Sequence, residues 1–413
     1  MFKSALSAVV AVLILATAPF VGSSVMAAEL PTAHNPQSKY TIRYDDLEFL
    51  LGTIVLDTGM SDRRKTGRNT MRETTTRIRH GNYSVTGFEA NRVAFDQFGE
   101  QERESLLAMR QDLEAVPSMV PFEEFSRMEQ LAYWYNLHNV AVMVEIANAY
   151  PIKKVKSLRE GRRAVWDKKT MTVAGVPTSI QDIEDHVVAN WNDPLVLYGF
   201  FMGSVGGPNI RTHAFTSDNV VESLQANAIE FVNSLRGFRL WSGRGRLSEH
   251  YELGQRYFAN EEAVRDHMVR YARPEVRRDL EKAKSFKLNN YDWGIADLKN
   301  GDVYAGSSFN TSSGGLLWFI EQPGGPGRNG VNDSFMSDPV FNQANLGSIA
   351  PQTRALFRAV KTRKERRKLE GTVTVEEFVA EDVPEGERVV LKKTLEDIVE
   401  NSDDTDEGGS LAE

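Results

Sequence analysis

Three polar side chains interrupt the most apolar helical segment of the sequence. Asn136, His138 and Asn139 lie within "PFEEFSRMEQLAYWYNLHNVAVMVEIANAY", residues 121–150. Apolar residues occupy more than one side of this segment, which predicts a buried helix. Burying three polar side chains is costly unless they find partners. They form either a structural hydrogen-bond network or a site in which an asparagine orients His138 as general base or ligand.

A carboxylate lies on the core-facing stripe of the next predicted helix. Ser179 followed by Asp182 resembles a capping box and predicts a helix start, and Glu184 then falls on the apolar stripe. Glu184 either bonds a backbone amide or an arginine, or it has a raised pKa and acts as acid or base. The neighbouring Asp185 and His186 are predicted to be solvated.

The stretch "GSVGGPNIR", residues 203–211, follows an apolar run that predicts a buried strand, residues 195–201. It is either a tight turn or a loop that holds an anion on its amides, with Arg211 as a forked donor and His213 close behind. It contains no P-loop and no G-x-G-x-x-G motif. A nucleophile elbow would lack its first glycine, so Ser204 is only a possible nucleophile.

Metal and cofactor sites have little support in the sequence. It contains no cysteine, which excludes disulfides, thiolate metal sites and a cysteine nucleophile. The histidines are scattered and H-E-x-x-H is absent. A metal site built from His138, His213 and Glu184 would rest on no spacing rule. We therefore expect no metal and no cofactor, and the catalytic candidates are His138, Glu184 and Ser204.

The N-terminus has the pattern of an export signal. Lys3 precedes a long apolar run, and the small residues of "VMAAEL" predict cleavage after Ala27. An uncleaved membrane anchor is the alternative, although Pro19 and Gly22 interrupt the run. No second apolar segment of spanning length follows. These features predict a protein exported to the bacterial periplasm, with no membrane span after cleavage.

Composition divides the rest of the 413-residue chain. We predict a mixed α/β (α+β) fold, helix-rich and built as a single domain around a modest central sheet. The predicted segments are a signal peptide (1–27), a leader (28–39), the domain (40–298), a Gly/Ser-rich loop or linker (299–346), a helical charged segment (347–400) and a disordered acidic tail (401–413).

The formal net charge of −8 argues against extensive nucleic-acid binding. One local exception is "KTRKERRK", residues 361–368, where six of eight residues are basic. It is either a solvated helix face or a contact for anionic lipid or nucleic acid, with the acidic tail as an intramolecular competitor. The partner is expected to be a small molecule or an envelope component, and the oligomeric state is open.

Five segments in the same order resemble one family. They are "AYWYNLHNVAVMVEIANAYP", "VAGVPTSIQDIEDHVV", "DPLVLYGFFMGSVGGPNIRTHAF", "LSEHYELGQRYF" and "NNYDWGIAD". This is the domain of unknown function 547 family, and the likeness covers roughly residues 95 to 298, more loosely from about 40. The resemblance implies a single mixed domain, often exported in bacteria. It implies no established reaction.

The sequence departs from this family at positions where members often carry a cysteine and a histidine. Gly207 and Leu197 occupy them here, and His138 replaces a tyrosine. The positions that carry over are Trp134, Asn136, Asn139, Ile183, Glu184, Asp193, Pro194, Ser204, Pro208, Arg211, Tyr291, Asp292 and Trp293. Asp292 lies between two aromatic residues and is expected to be a buried acceptor that pairs with Arg211.

Two functions follow from these residues. The loss of the cysteine and histidine favours a binding or structural protein of the envelope, with Asn136, Asn139, Arg211, His213 and Asp292 as its polar cluster. The alternative is a hydrolase or transferase that uses His138 with Glu184 or Ser204. The second function requires these side chains to line one accessible pocket.

Overall fold

The computed structural model describes residues 29–66 and 84–301, together with Arg388–Val389. The predicted signal peptide, most of the linker, the basic run 361–368 and the acidic tail lie outside the described residues. Arg388–Val389 pairs in parallel with Thr41–Ile42, although helix was predicted for its segment. No helix in the described part of the chain is long and apolar enough to cross a membrane.

Helices supply most of the described secondary structure. They are α1 (Asp45–Ile54), α2 (Glu100–Met119), α3 (Arg127–Ala149), α4 (Lys156–Arg159), α5 (Ile180–Asn190), α6 (Val220–Val232), α7 (Glu261–Val269) and α8 (Pro274–Lys282). Short 3₁₀ segments join them, at Phe95–Gln97, Phe122–Glu124, Pro194–Gly199 and Glu249–Tyr257.

The strands are short and are shared among small sheets. They are β1 (Thr41–Ile42), β2 (Val55–Leu56), β3 (Arg92–Val93), β4 (Met171–Val173), β5 (Val176–Thr178), β6 (Phe238–Trp241), β7 (Arg244–Ser248), β8 (Phe286–Asn290) and β9 (Arg388–Val389). The pairs are β1–β9, β2–β3 and β4–β5, and β6–β7–β8 form a three-stranded sheet. The predicted mixed α/β class is confirmed, but the strands are not gathered into one central sheet.

Helix α3 takes the central position instead. Its side chains are buried on every side, as the sequence predicted, and it packs against α2 and α5. The side chain of Ser126 accepts a hydrogen bond from the backbone N–H of Glu129 and caps the helix. The start therefore lies at Arg127, a few residues after the predicted start. A helix apolar on all sides can only be stable inside a core.

Helix α5 begins as predicted and its stripe faces the core. The Ser179 hydroxyl accepts from the Asp182 amide while the Asp182 carboxylate accepts from the Ser179 amide, which completes a capping box. Asp185 is exposed, but the prediction that His186 is solvated was wrong. Its ring lies against Trp134, with ring centroids 4.7 Å apart. The buried face of α5 is broader than the predicted stripe. A face with four core positions in two turns of helix also includes residue 186.

The apolar run before the glycines is buried but is not a strand. Pro194–Gly199 forms a 3₁₀ helix. Asp193 is its N-cap, and the Asp193 carboxylate accepts a hydrogen bond from the amide of Leu195. Proline at the first helical position favours this start because its missing N–H is not needed there. Periodicity alone does not distinguish a short buried helical turn from a buried strand.

Candidate functional site

Glu184 of α5 lies at the centre of a buried polar cluster. Its Oε1 accepts hydrogen bonds from Trp166 Nε1 at 2.8 Å and from His138 Nε2 at 3.2 Å. Its Oε2 accepts from Arg159 Nη2 at 3.0 Å. The side chains of His138 and Glu184 have no exposed surface. We call His138, Arg159, Trp166 and Glu184 the Glu184 cluster.

This arrangement keeps the Glu184 carboxyl ionised. Burial alone would raise its pKa, but the charge of Arg159 and the hydrogen bond from His138 outweigh burial and lower the pKa to about 2. Of the two interpretations of Glu184, pairing with an arginine is the one observed. The raised pKa that a general acid would need is not.

The ring of His138 is held by acceptors on both sides. Its Nδ1 lies 2.9 Å from Asn139 Oδ1. That oxygen also accepts from the backbone N–H of Phe201 at 2.9 Å, while Asn139 Nδ2 donates to Gly199 O at 3.1 Å, so the amide orientation is fixed. Both ring nitrogens therefore lie against side-chain oxygens of the protein, and the ring has no exposed surface.

Asn136 and Asn139 tie α3 to the chain segments that follow α5. Asn136 Nδ2 donates to Phe215 O at 2.7 Å, and Asn136 Oδ1 accepts from Phe215 N at 3.0 Å. Asn139 makes the equivalent pair of bonds to Gly199 and Phe201. Each asparagine side chain thus satisfies one backbone N–H and one backbone C=O of an irregular segment, as a neighbouring strand would in a sheet. Of the two interpretations of the polar residues of α3, these bonds support the structural hydrogen-bond network.

The glycine-rich stretch is a close backbone crossing. The amides of Val205 and Gly206 donate to the carbonyls of Gly294 and Asp292, each at 2.8 Å. A Cβ on Gly206 would lie 2.6 Å from the amide nitrogen of Asp292, so only glycine fits at this crossing. The amides that would cradle an anion are used in backbone pairing, which supports the tight-turn interpretation.

Ser204 has one side-chain partner, and it is not a base. Its Oγ lies 2.9 Å from the hydroxyl of Tyr291. Burial raises the pKa of Tyr291 to about 12, although the hydrogen bond with Ser204 and the charge of Arg159 act in the opposite direction. A neutral phenol does not remove a proton from a serine at neutral pH. Ser204 is itself only 1% exposed.

The segment that contains α3, α5 and the glycine-rich stretch is also the segment that is similar to known sequences. Residues 122–232 match the model of the domain of unknown function 547 family, which is described as "Protein of unknown function, DUF547". The resemblance seen in the sequence is thereby confirmed over residues 122–232, the DUF547 segment. The likenesses of "LSEHYELGQRYF" and "NNYDWGIAD" lie beyond this segment and stay predictions. No curated protein and no solved structure matched the chain.

Within the DUF547 segment, the space around Gly207 is already filled. A Cβ at this position would lie 2.8 Å from Met202 Cγ and 2.9 Å from Met202 Cβ. Leu197, the other departure from the family, is completely buried, and its carbonyl accepts from His250 Nε2 at 2.7 Å. Apolar packing therefore occupies both positions where the resemblance implied a cysteine and a histidine.

Arg211, His213 and Asp292 lie apart from the Glu184 cluster in their bonding. Arg211 Nη1 donates to Asn227 Oδ1 at 3.2 Å, and His213 Nε2 lies 3.0 Å from Ser223 Oγ. Burial, together with the charge of Arg211, lowers the pKa of His213 to about 4. The predicted pairing of Arg211 with Asp292 was wrong.

The carboxylate of Asp292 serves the crossing chains instead. It accepts from Thr86 Oγ1 at 2.6 Å and from the Gly294 amide at 2.9 Å. These two hydrogen bonds fix the turn at Asp292–Gly294. The next residue, Ile295, pairs with Ser204 in an isolated β-bridge. The sequence correctly predicted an acceptor here, but Asp292 is half-buried rather than buried, and the sequence missed which donors reach it.

A metal site receives no support from the described geometry. His138 and Glu184 bond to each other, and His213 bonds to a serine. Over residues 29–66 and 84–301, no three His, Asp or Glu side chains are grouped as metal ligands.

Sequence reasoning missed several residues that organise the site. Asn227 Nδ2 donates to Tyr198 O at 2.9 Å and to Asn209 O at 3.0 Å, and Arg236 Nε donates to Gly207 O at 3.0 Å. Asn227 could have been found, because it adjoins the apolar stripe of α6. Arg159 and Trp166 carry no such signal, since they lie in a charged stretch without periodicity.

Proposed function

We propose that the protein is an exported binding protein of the bacterial envelope, in which the Glu184 cluster is structural and not catalytic. The observation that carries this proposal is the burial of the candidate residues. Asn136, His138, Glu184 and Ser204 are each at most 1% exposed, and their side chains bond to other groups of the protein.

Catalysis by these residues would require a large rearrangement. A general base or a nucleophile must come within about 3 Å of its substrate atom. Here α3, α5 and the 3₁₀ segment Pro194–Gly199 close around His138 and Glu184, so a substrate would have to separate packed helices. Buried, fully satisfied networks of this kind fix a fold rather than react.

Export rests on the predicted signal peptide, residues 1–27. The full chain, expressed in a bacterium with a C-terminal tag, should be recovered from the periplasmic fraction. Its N-terminal residue should then be Ala28, as found by mass spectrometry. A full-length product in the cytoplasm would refute export, and a full-length product in the membrane fraction would support the uncleaved anchor.

The absence of catalysis is tested on Ser204. A fluorophosphonate probe, which labels activated serines, should leave the purified protein unlabelled. Hydrolysis of ester and amide substrates should equal that of the Ser204→Ala variant. Labelling or turnover that disappears in Ser204→Ala, but persists in the neighbouring control Thr212→Ala, would refute the proposal.

A further inference from the structure

The outer face of the β6–β7–β8 sheet carries a row of positive charge. Strand register places Arg239 of β6 opposite Arg246 of β7, and Arg246 beside Lys287 of β8. Side chains alternate between the faces of a sheet, so these three cations point the same way. The opposite face is apolar and includes Phe238, Leu247 and Leu288.

Like charges in adjacent positions of a sheet are unfavourable. The ring of Trp241 partly offsets the charge of Arg246, whose Cζ lies over it, 5.6 Å from the ring centroid. Within residues 29–66 and 84–301, no carboxylate forms an ion pair with Arg239, Arg244, Arg246 or Lys287. Arg239 Nε is buried without a hydrogen-bond partner. This concentration of cations occurs in a chain of net charge −8. An anion from outside would satisfy it.

The same face carries an exposed aromatic ring and a concavity. Trp241 is 55% exposed at the end of β6, where Ser242 and Gly243, both with positive φ, make a tight hairpin turn. A cavity of about 460 Å³ is lined by Trp241, Arg244, Arg246, Lys287 and Asn289. This volume is within the range of small-molecule sites.

We propose that this face binds an acidic saccharide, a hydroxylated ring that bears a carboxylate or a phosphate. The guanidinium groups of Arg244 and Arg246 offer forked donors that match such anions. Arg246 lies over the ring of Trp241, but Trp241 is still 55% exposed and offers apolar surface to a sugar ring beside these donors. Asn289 offers both a donor and an acceptor for hydroxyl groups. This inference rests on the proposal that the protein acts by binding.

The test is isothermal titration calorimetry of the purified full chain with two acidic probes and one neutral one. The probes are tetragalacturonic acid, glucose 1-phosphate and cellotetraose. We expect binding of at least one acidic probe, weakened by salt, and none of cellotetraose. The two acidic arms separate a carboxylate from a phosphate ligand. Absence of binding by both acidic probes overturns the proposal.

Variants locate the site. Arg244→Gln/Arg246→Gln should weaken acidic-probe binding at least about tenfold, because charge-assisted hydrogen bonds are lost. The matched control Arg162→Gln/Arg163→Gln removes two exposed cations elsewhere and should bind as the wild type does. Trp241→Ala should also weaken binding. Equal weakening by the control pair, or no weakening by the Arg244/Arg246 pair, overturns the location.

An oligodeoxynucleotide is titrated as a competitor. Tighter binding of the oligonucleotide than of either saccharide overturns the ligand class, because bases also stack on tryptophan and phosphates also bind arginine. None of these outcomes bears on the Ser204 labelling experiment, so failure of the ligand assignment is distinguishable from failure of the proposed function.

Discussion

At the scale of single residues, the Glu184 carboxylate accepts hydrogen bonds from Trp166, His138 and Arg159 at once. Glu184→Gln keeps the shape of the side chain but leaves Arg159 without its counter-charge. Removing one partner of a buried pair costs about 3 to 5 kcal/mol of unfolding free energy. We expect the lower value, because the Arg159 side chain is 23% exposed and retains some water. Urea unfolding of Glu184→Gln measures this.

The matched control is the next residue on the same helix. Asp185 is exposed and accepts from Gln181, one turn earlier on the same helix. Asp185→Asn should change the unfolding free energy by no more than about 0.5 kcal/mol. Similar values for the two variants would mean that the Glu184 cluster contributes nothing beyond an ordinary surface carboxylate.

A second residue-scale prediction concerns the position where the resemblance implied a cysteine. Gly207→Cys should lower the unfolding free energy by about 1 to 3 kcal/mol, because the new Cβ overlaps Met202. The same cysteine in a Met202→Ala background should cost less, and a double-mutant cycle measures the coupling. Additive losses would show that Met202 is not the obstacle.

At the scale of elements, sequence patterns predicted the helices with periodic apolar spacing and missed the side-chain pairs between residues far apart in the chain. The helices α3 and α5 were predictable because their apolar spacing and the Ser179 cap are local. Arg159 as the partner of Glu184 was not, since the two lie 25 residues apart and join only through tertiary packing. The 3₁₀ segment Pro194–Gly199 was taken for a strand because a short apolar run fits both.

The basic sheet gives an element-scale prediction that is independent of any ligand. Arg246 faces Arg239 across the strand pair, and burial together with the charge of Arg246 lowers the pKa of Arg239. Arg246→Thr relieves this repulsion, by about 0.2 to 1 kcal/mol at low salt, but also removes the contact of Arg246 with the Trp241 ring. The unfolding free energy of Arg246→Thr should therefore gain on that of the wild type as the salt concentration is lowered. The gain should shrink in roughly 0.5 M salt, because interactions between surface charges are largely screened at that concentration.

Thermal unfolding at the two salt concentrations measures this gain. Arg244→Thr is the matched control, because Arg244 lies opposite Trp241 and has no cation across the pair. Its effect should be smaller and less dependent on salt. A loss of stability in Arg246→Thr that does not depend on salt would indicate that its packing matters more than its charge.

At the scale of the whole molecule, three buried histidines and one half-buried histidine couple folding to pH. Burial lowers the pKa to about 4 for His186, His213, His250 and His267, against an ordinary value of 6.5. Between about pH 4 and pH 6.5, these histidines are therefore protonated in the unfolded chain and neutral in the folded chain. The unfolding free energy should therefore fall as the pH is lowered from about 6.5 to about 4. Asp297, whose pKa burial raises to about 6, opposes this loss by up to one proton.

His250 gives the sharpest test of this dependence, because its side chain is buried and donates to Leu197 O. His250→Gln keeps an N–H donor but cannot be protonated. The slope of unfolding free energy against pH should flatten by up to about 1.4 kcal/mol per pH unit, the value for one proton. Urea unfolding between pH 4 and 7 measures the slope. His34→Gln, at an exposed position, should leave it unchanged, and an unaltered slope in His250→Gln would show that this histidine is protonated in the fold.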